Sequence, residues 1–360
     1  MTENTKEGIY FNMPEEEYHA LPCLSRSGME DIYIDVEEFW YKSWMNPDRP
    51  KQNPTEAMKL GTAIHSAILE PDVFDELYCK FPSVEDFEDK TILKTSEDLK
   101  NFLDNFGEKK IGKKEDLIER ALPYIDPEKF VIWDIIQKKF LESTNNNGKR
   151  SLSLENSETI EGIQQAIERR PNIKKIFSKG YPEVTIIWKD EETGVMCKCR
   201  LDYVRPELIG ELKSFSLKGK KSVHGACCDE IIHQKYNLQY YIYSKALEII
   251  IKKIRLGEAE VYGQVDKEWL QKFLEHPRKQ FFILFVRTTA PFQALAIELI
   301  KNMGGEAENS YYLEPQYWCR TAIKKVKKMH QEFGDKRWIE EDYIKELQDD
   351  SMGFLYQFKQ

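Results

Sequence analysis

The chain is 360 residues long, 41% hydrophobic, 12% aromatic and 32% charged, which supports a sizeable buried core and excludes a wholly disordered protein. Its formal net charge of -9 does not announce a nucleic-acid binder, although a basic groove can sit on an acidic body. Seven cysteines with no C-x-x-C spacing argue against a disulfide framework and a zinc ribbon, and no apolar run approaches the ~18 residues of a membrane span.

The opening MTENTKEGIYFNMPEEEYH lacks the basic start and apolar stretch of a secretory signal, so a cytoplasmic location is expected. Residues 1–55 read as a loop-rich lead-in with short helices. In EAMKLGTAIHSAILEP, residues Ala57, Leu60, Ile64 and Ile68 share a helical stripe that Pro71 closes, and Gly61 is positioned to let this helix approach a neighbour. Residues 76–178 form a charged, largely helical insertion. Within it, TSEDLKNFLDNFGEKKIGKKEDLIERAL (95–122) predicts two short amphipathic helices around a lysine-bearing turn.

The pattern changes at Tyr181. EVTIIWKD, VMCKCRLDYV and LIGELKSF alternate like strands, and DEIIHQKYNLQYYIYSKALEIIIKKI predicts one long helix. EAEVYGQV and FFILFVRTT predict further strands, PFQALAIELIKNM begins a helical region proline-first, and residues 311–360 extend it. This order predicts an α/β core, a mixed central sheet flanked by helices, built from residues 56–75 and 179–310.

The stretch CRLDYVRPELIGELKSF places two acids and a lysine where a sheet should form. Strand parity puts Glu211 and Lys213 on one face with Leu212 opposite, and sets Asp202 with Arg200 and Lys198. A turn centred on Pro206 and Glu207 pairs Val204 with Ile209 and Tyr203 with Gly210, which brings Asp202 opposite Glu211. The preceding hairpin brings Glu183 close to Asp202. Three converging carboxylates repel unless they take up protons or enclose a cation, and an oxygen-preferring Mg²⁺ or Mn²⁺ is the natural occupant. Lys213 then orients water or stabilises charge on a phosphate. The same residues also read as the solvated face of an amphipathic sheet, and His65 beside Ile64 and Ile68 also reads as a core histidine.

The set LGTAIHSAILEP, PEVTIIWKDEETGVMCKCRLDYV, GELKS and YNLQYYIY resembles the PD-(D/E)XK nuclease superfamily, and within it RecE-type exonucleases, the exodeoxyribonuclease VIII family of prophages. The lead-in GIYFNMPEEEYHALPCLSRSGM is similar to that family's as well. The resemblance implies a restriction-endonuclease-like fold with His65, Asp202 and Glu211 as metal ligands, Lys213 as the catalytic lysine and Glu183 supporting the metal cluster. Gln239 and Tyr243 then line the site. Leu201 stands where the superfamily's name has proline, and ELKS where many relatives have D-L-K-T.

The resemblance further implies Mg²⁺-dependent hydrolysis at duplex DNA ends with Mn²⁺ tolerated, 5′-to-3′ polarity, a ring-shaped homo-oligomer, and work beside a single-strand annealing recombinase in phage-type recombination. An endonuclease or a catalytically silent DNA-end-binding protein of the same fold are the alternatives. Only Cys319 lies where iron–sulfur relatives carry a cysteine trio, so no iron–sulfur cluster is expected. Candidate phosphate contacts are Arg200, the segment KSFSLKGKK with Lys218, Lys220 and Lys221, and AIKKVKKMH near the C-terminus. Residues 95–122 resemble a SAP-type DNA-binding motif, with Lys113 and Lys114 at its turn.

Overall fold

Alternating apolar residues build most of the central sheet, and a computed structural model describes residues 5–50, 53–217, 219, 222–276, 279–299 and 310–339. Among these residues the main sheet consists of β1 (Gly8–Tyr10), β2 (Tyr181–Lys189), β3 (Met196–Val204), β4 (Leu208–Phe215), β5 (Glu260–Tyr262), β6 (Gln280–Arg287) and β7 (Ala294–Leu299). Their order across the sheet is β7-β6-β4-β3-β2-β1-β5. The pairs β6–β4 and β1–β5 are parallel and the others antiparallel, so the sheet is mixed.

Helices cover both faces, as the α/β reading expects. One face carries the larger core, where Ile186, Cys197, Leu201, Ile209 and Phe285 meet Leu238, Ile242 and Ala246 of the Tyr236–Arg255 helix. The lead-in helix Arg26–Ile34 and the C-terminal helix Ser310–Phe333 close over the same side. On the opposite face Leu212 and Leu284 pack under Ala63, Ile64 and Ala67 of the Glu56–Leu69 helix and under Ile160 and Ile163 of the Leu154–Glu168 helix. Burying a side chain such as Ile64 contributes about 1.5–3 kcal/mol, which fixes that helix against the sheet. A third, smaller core of Leu93, Leu99, Phe102, Leu103, Leu117, Ala121 and Ile132 forms around helices Ser96–Asp104 and Lys114–Ala121.

Four features differ from the sequence-based expectation. The lead-in is part of the sheet: β1 lies between β2 and β5, and a Cβ on Gly8 would stand 2.5 Å from the Glu260 carbonyl oxygen, so only glycine fits. The segment read as a proline-first helix contains a strand instead. Leu295, Ile297 and Leu299 face the large core while Glu298 stays exposed, a period of two that short apolar runs share with helices. The long helix breaks into Val223–His233 and Tyr236–Arg255, with Lys235 left-handed between them at φ 51°. Finally, a Cβ at Gly61 would meet nothing within 4 Å, so that glycine borders open space and mediates no close helix contact.

Candidate active site

The site forms where β3 and β4 part. Their ladder holds at Val204–Ile209 and Tyr203–Gly210, the register the turn predicts, with the Arg205 N–H donating to the Leu208 carbonyl at 2.9 Å. Beyond this point carboxylates accept the backbone donors. The Asp202 N–H donates to Glu211 Oε1 at 3.3 Å, and the Leu212 N–H donates to Asp202 Oδ2 at 2.8 Å. A buried backbone N–H must find an acceptor, so the fork both needs these acids and orients them.

Glu211 is completely buried. Its Oε2 accepts from Lys213 Nζ at 3.2 Å and from Gln239 Nε2 at 2.5 Å. Burial, reinforced by the nearby Asp202 charge, pushes its carboxyl well above the usual range. Asp202 behaves oppositely: burial would raise it, but Lys213 at 3.7 Å, His65 and the Leu212 amide outweigh that and hold it ionised. Burial also works against the charge of Lys213, yet Asp202 and Glu211 overcome it, raise its pKa and keep it an ammonium.

His65 reaches the same carboxylate from the Glu56–Leu69 helix. The helix buries Ala63, Ile64 and Ala67, and this turns His65 sideways to bring Nδ1 within 3.8 Å of Asp202 Oδ2. Glu183 completes the group from β2. Its backbone is left-handed at φ 52°, which costs about 1–2 kcal/mol for a residue with a Cβ. The distortion falls where β2 and β3 skip a pairing, between Pro182–Tyr203 and Val184–Leu201. Burial, then Asp202, pushes the Glu183 carboxyl up to about 7 despite the Arg200 Nε donating to Oε2 at 2.5 Å.

Among the described residues, His65, Glu183 and Asp202 each offer a ligand atom, all within 4.8 Å of one another. One imidazole and two carboxylates suit a hard-to-borderline divalent ion such as Mg²⁺ or Mn²⁺. Glu211, expected as a ligand, has its carboxylate engaged by Lys213, Gln239 and the Asp202 amide. Gln239 and Tyr243 are both buried on the helix behind the fork, and burial followed by the Glu211 charge raises the Tyr243 phenol.

Of the expected DNA contacts, Arg200 lies in this site. Lys218, Lys220 and Lys221 fall outside the described residues. Lys113 caps the Lys114–Ala121 helix, and Lys114 pairs with Asp134 at 2.7 Å. In AIKKVKKMH, Lys324 pairs with Glu192 in the β2–β3 turn at 2.7 Å.

Three further residues surround the site without a role assigned from sequence. Tyr236 lies under the Lys213 ammonium, 5.6 Å from ring centroid to Nζ, and its position three before Gln239 and seven before Tyr243 marks it as part of the same helical face. Glu70, in the quoted L-E-P, interacts with Arg200 and adds to the repulsion at Glu183. Tyr18 comes from the lead-in and stacks near Arg200 and Lys198, a long-range contact with no local signal.

No curated protein matches the chain. A crystal structure from Eubacterium rectale, described provisionally as that of an exonuclease, aligns over 95% of this chain and 91% of its own at 14% identity, with a TM-score of 0.43. Residues 42–268 match the model of a family described as a PDDEXK-like domain of unknown function (DUF3799). That segment spans more than half of the 360 residues and holds His65, Glu183, Asp202, Glu211, Lys213, Gln239 and Tyr243, and the chain belongs to this PDDEXK-like family.

Proposed function

We propose that the protein is a divalent-metal-dependent deoxyribonuclease that hydrolyses phosphodiester bonds at duplex DNA ends. The observation that carries this reading is the strand fork, where Asp202, Glu183 and His65 converge beside a lysine that its neighbours keep charged. His65, Glu183 and Asp202 would hold the ion. Glu211 is held beside them by Gln239 and Lys213 on Oε2 and by the Asp202 amide on Oε1. When bound, a divalent ion supplies positive charge that offsets the charge gathering on the phosphate during hydrolysis.

The protein's own groups divide the remaining work. Lys213, as an ammonium, donates to a water or a phosphate oxygen and accepts no proton in this state. Gln239 fixes Glu211, and Glu211 in turn fixes the lysine. Tyr236 and Tyr243 wall the site from behind. The insertion hairpin at residues 95–122, with Lys113 and Lys114, offers sequence-independent phosphate contacts. The RecE resemblance supports the finer reading: 5′-to-3′ digestion, a ring-shaped oligomer, and a single-strand annealing recombinase as partner in phage-type recombination.

The test uses linear duplex DNA labelled at either the 5′ or the 3′ end, and closed circular duplex labelled along its length, each with MgCl2 or EDTA. Nucleotide release from linear DNA alone, abolished by EDTA, is the expected result. Equal cutting of circles would make the enzyme an endonuclease. Duplex binding without hydrolysis in Mg²⁺ or Mn²⁺ would make it a silent end-binding protein.

A further inference from the structure

Arg200 lies beside the candidate ligands with part of its guanidinium unpartnered. Its Nε donates to Glu183 Oε2, one of the three candidate ligand groups. Its Nη1 is buried with no protein partner among the described residues, and so is the Oγ1 of Thr185, its cross-strand neighbour. The guanidinium carbon stands 5.6 Å from the centroid of the Tyr18 ring, a face on which a planar cation can rest in more than one orientation. Glu70, half-buried, is a second acid that attracts the same guanidinium. A buried N–H without an acceptor costs free energy, so the present pairing is a compromise that a better partner would displace.

A divalent ion on Glu183 would place two cations against one carboxylate. The ion then competes with the guanidinium for the same carboxylate. A guanidinium released there keeps its fixed charge, carries an unused donor, and matches two oxygens of a phosphate at once.

We propose that Arg200 is an exchangeable counter-ion: it neutralises Glu183 in the unloaded protein and passes to a phosphate oxygen of the bound strand once a divalent ion takes the carboxylate over. The inference rests on the nuclease reading above for its substrate but not for its first step. It makes Arg200 a residue that suppresses metal affinity when DNA is absent and adds DNA affinity when metal is present.

Calorimetric titration with MnCl2 separates the two halves. Arg200→Ala is expected to bind Mn²⁺ about tenfold more tightly than wild type, because a competing unit charge within a few ångströms is gone. Arg200→Lys is expected to stay near wild type. A variant with a damaged fold would bind more weakly, so tightening cannot come from structural harm. The second arm measures affinity for a short duplex in CaCl2 and in EDTA. Arg200→Ala is expected to lose affinity in Ca²⁺ only, since in EDTA the wild-type guanidinium is still held by Glu183. Unchanged or weakened Mn²⁺ binding in Arg200→Ala, or an equal duplex defect in both buffers, overturns the proposal. Wild-type protein that binds Mn²⁺ yet hydrolyses no DNA defeats the nuclease reading separately and leaves the metal titration to judge the exchange.

Discussion

Strand β3 treats its two neighbours differently. Toward β2 it pairs from Tyr181–Val204 to Lys189–Met196, interrupted only at Glu183 and Asp202, while toward β4 it pairs only at Val204–Ile209 and Tyr203–Gly210. The continuous side supplies core: Val184, Ile186, Cys197, Cys199 and Leu201 are all within 1% of full burial. The open side supplies most of the chemistry, joined by Glu183 at the one break in the continuous side. There the backbone donors of Asp202 and Leu212 have no ladder partner, and carboxylates accept them. An acid can be kept in a nearly dry position when a backbone amide and an ammonium both satisfy it, and this strand fork offers both within three residues of its last pair. Reactive groups therefore gather where the sheet stops pairing.

The sharpest way to break this comparison is Asp202→Asn. The amide oxygen of asparagine can still accept from the Leu212 N–H, so the fork keeps its shape. The charge that faces Lys213 and His65 disappears. Mg²⁺-dependent hydrolysis of linear duplex is expected to fall about a thousandfold, with the melting temperature shifted by only a few degrees. Activity within tenfold of wild type would mean that the open side is not where the reaction happens.

Metal and pH sharpen the same contrast through stability. The folded pKa of Glu183, about 7, lies above its ordinary value of 4.5. Between those values the folded protein holds a proton that the unfolded chain has released. The stabilisation from this group is therefore complete below about 4.5 and is lost as pH rises through about 7. Above that point Glu183 is ionised and shares Arg200 with its surroundings, and a divalent ion can take the place of the lost proton. Added MgCl2 is expected to raise the melting temperature more at pH 8 than at pH 6, and Glu183→Gln should remove most of that difference. An equal rise at both pH values would place the ion elsewhere.

Much of this arrangement is legible in the sequence, for a physical reason. Alternation over 184–188 and 197–201 identifies two strands, and proline at 206 fixes a turn whose register follows by counting. That count alone brings Asp202 and Glu211 together. It does not say that Glu211 will turn to Gln239, because that depends on a helix more than twenty residues away. Nor does it reveal the left-handed backbone at Glu183, which nothing in EVTIIWKD signals. β1 is only three residues long, too short for alternation to identify it, and β7 carries an apolar run that fits either period. The break at Lys235 likewise has no glycine or proline to announce it.

The smallest expected effect lies at the far end of the continuous side. Glu192, in the turn between β2 and β3, pairs with Arg320 at 3.1 Å and Lys324 at 2.7 Å on the C-terminal helix. The hydrogen bond from Lys324, then that from Arg320, holds its carboxyl below the usual range. All three side chains are at least half exposed, where water and salt screen such pairs. The turn has its own supports: the Asp190 N–H donates to the Val195 carbonyl, and Asp190 Oδ1 accepts from both the amide and the hydroxyl of Thr193. Glu192→Ala is therefore expected to lower the melting temperature slightly, to lose even that difference in high salt, and to leave hydrolysis unchanged. A clear drop in activity would mean that the C-terminal helix reaches the fork through β3, and that the far end of the paired side is not the inert support its geometry describes.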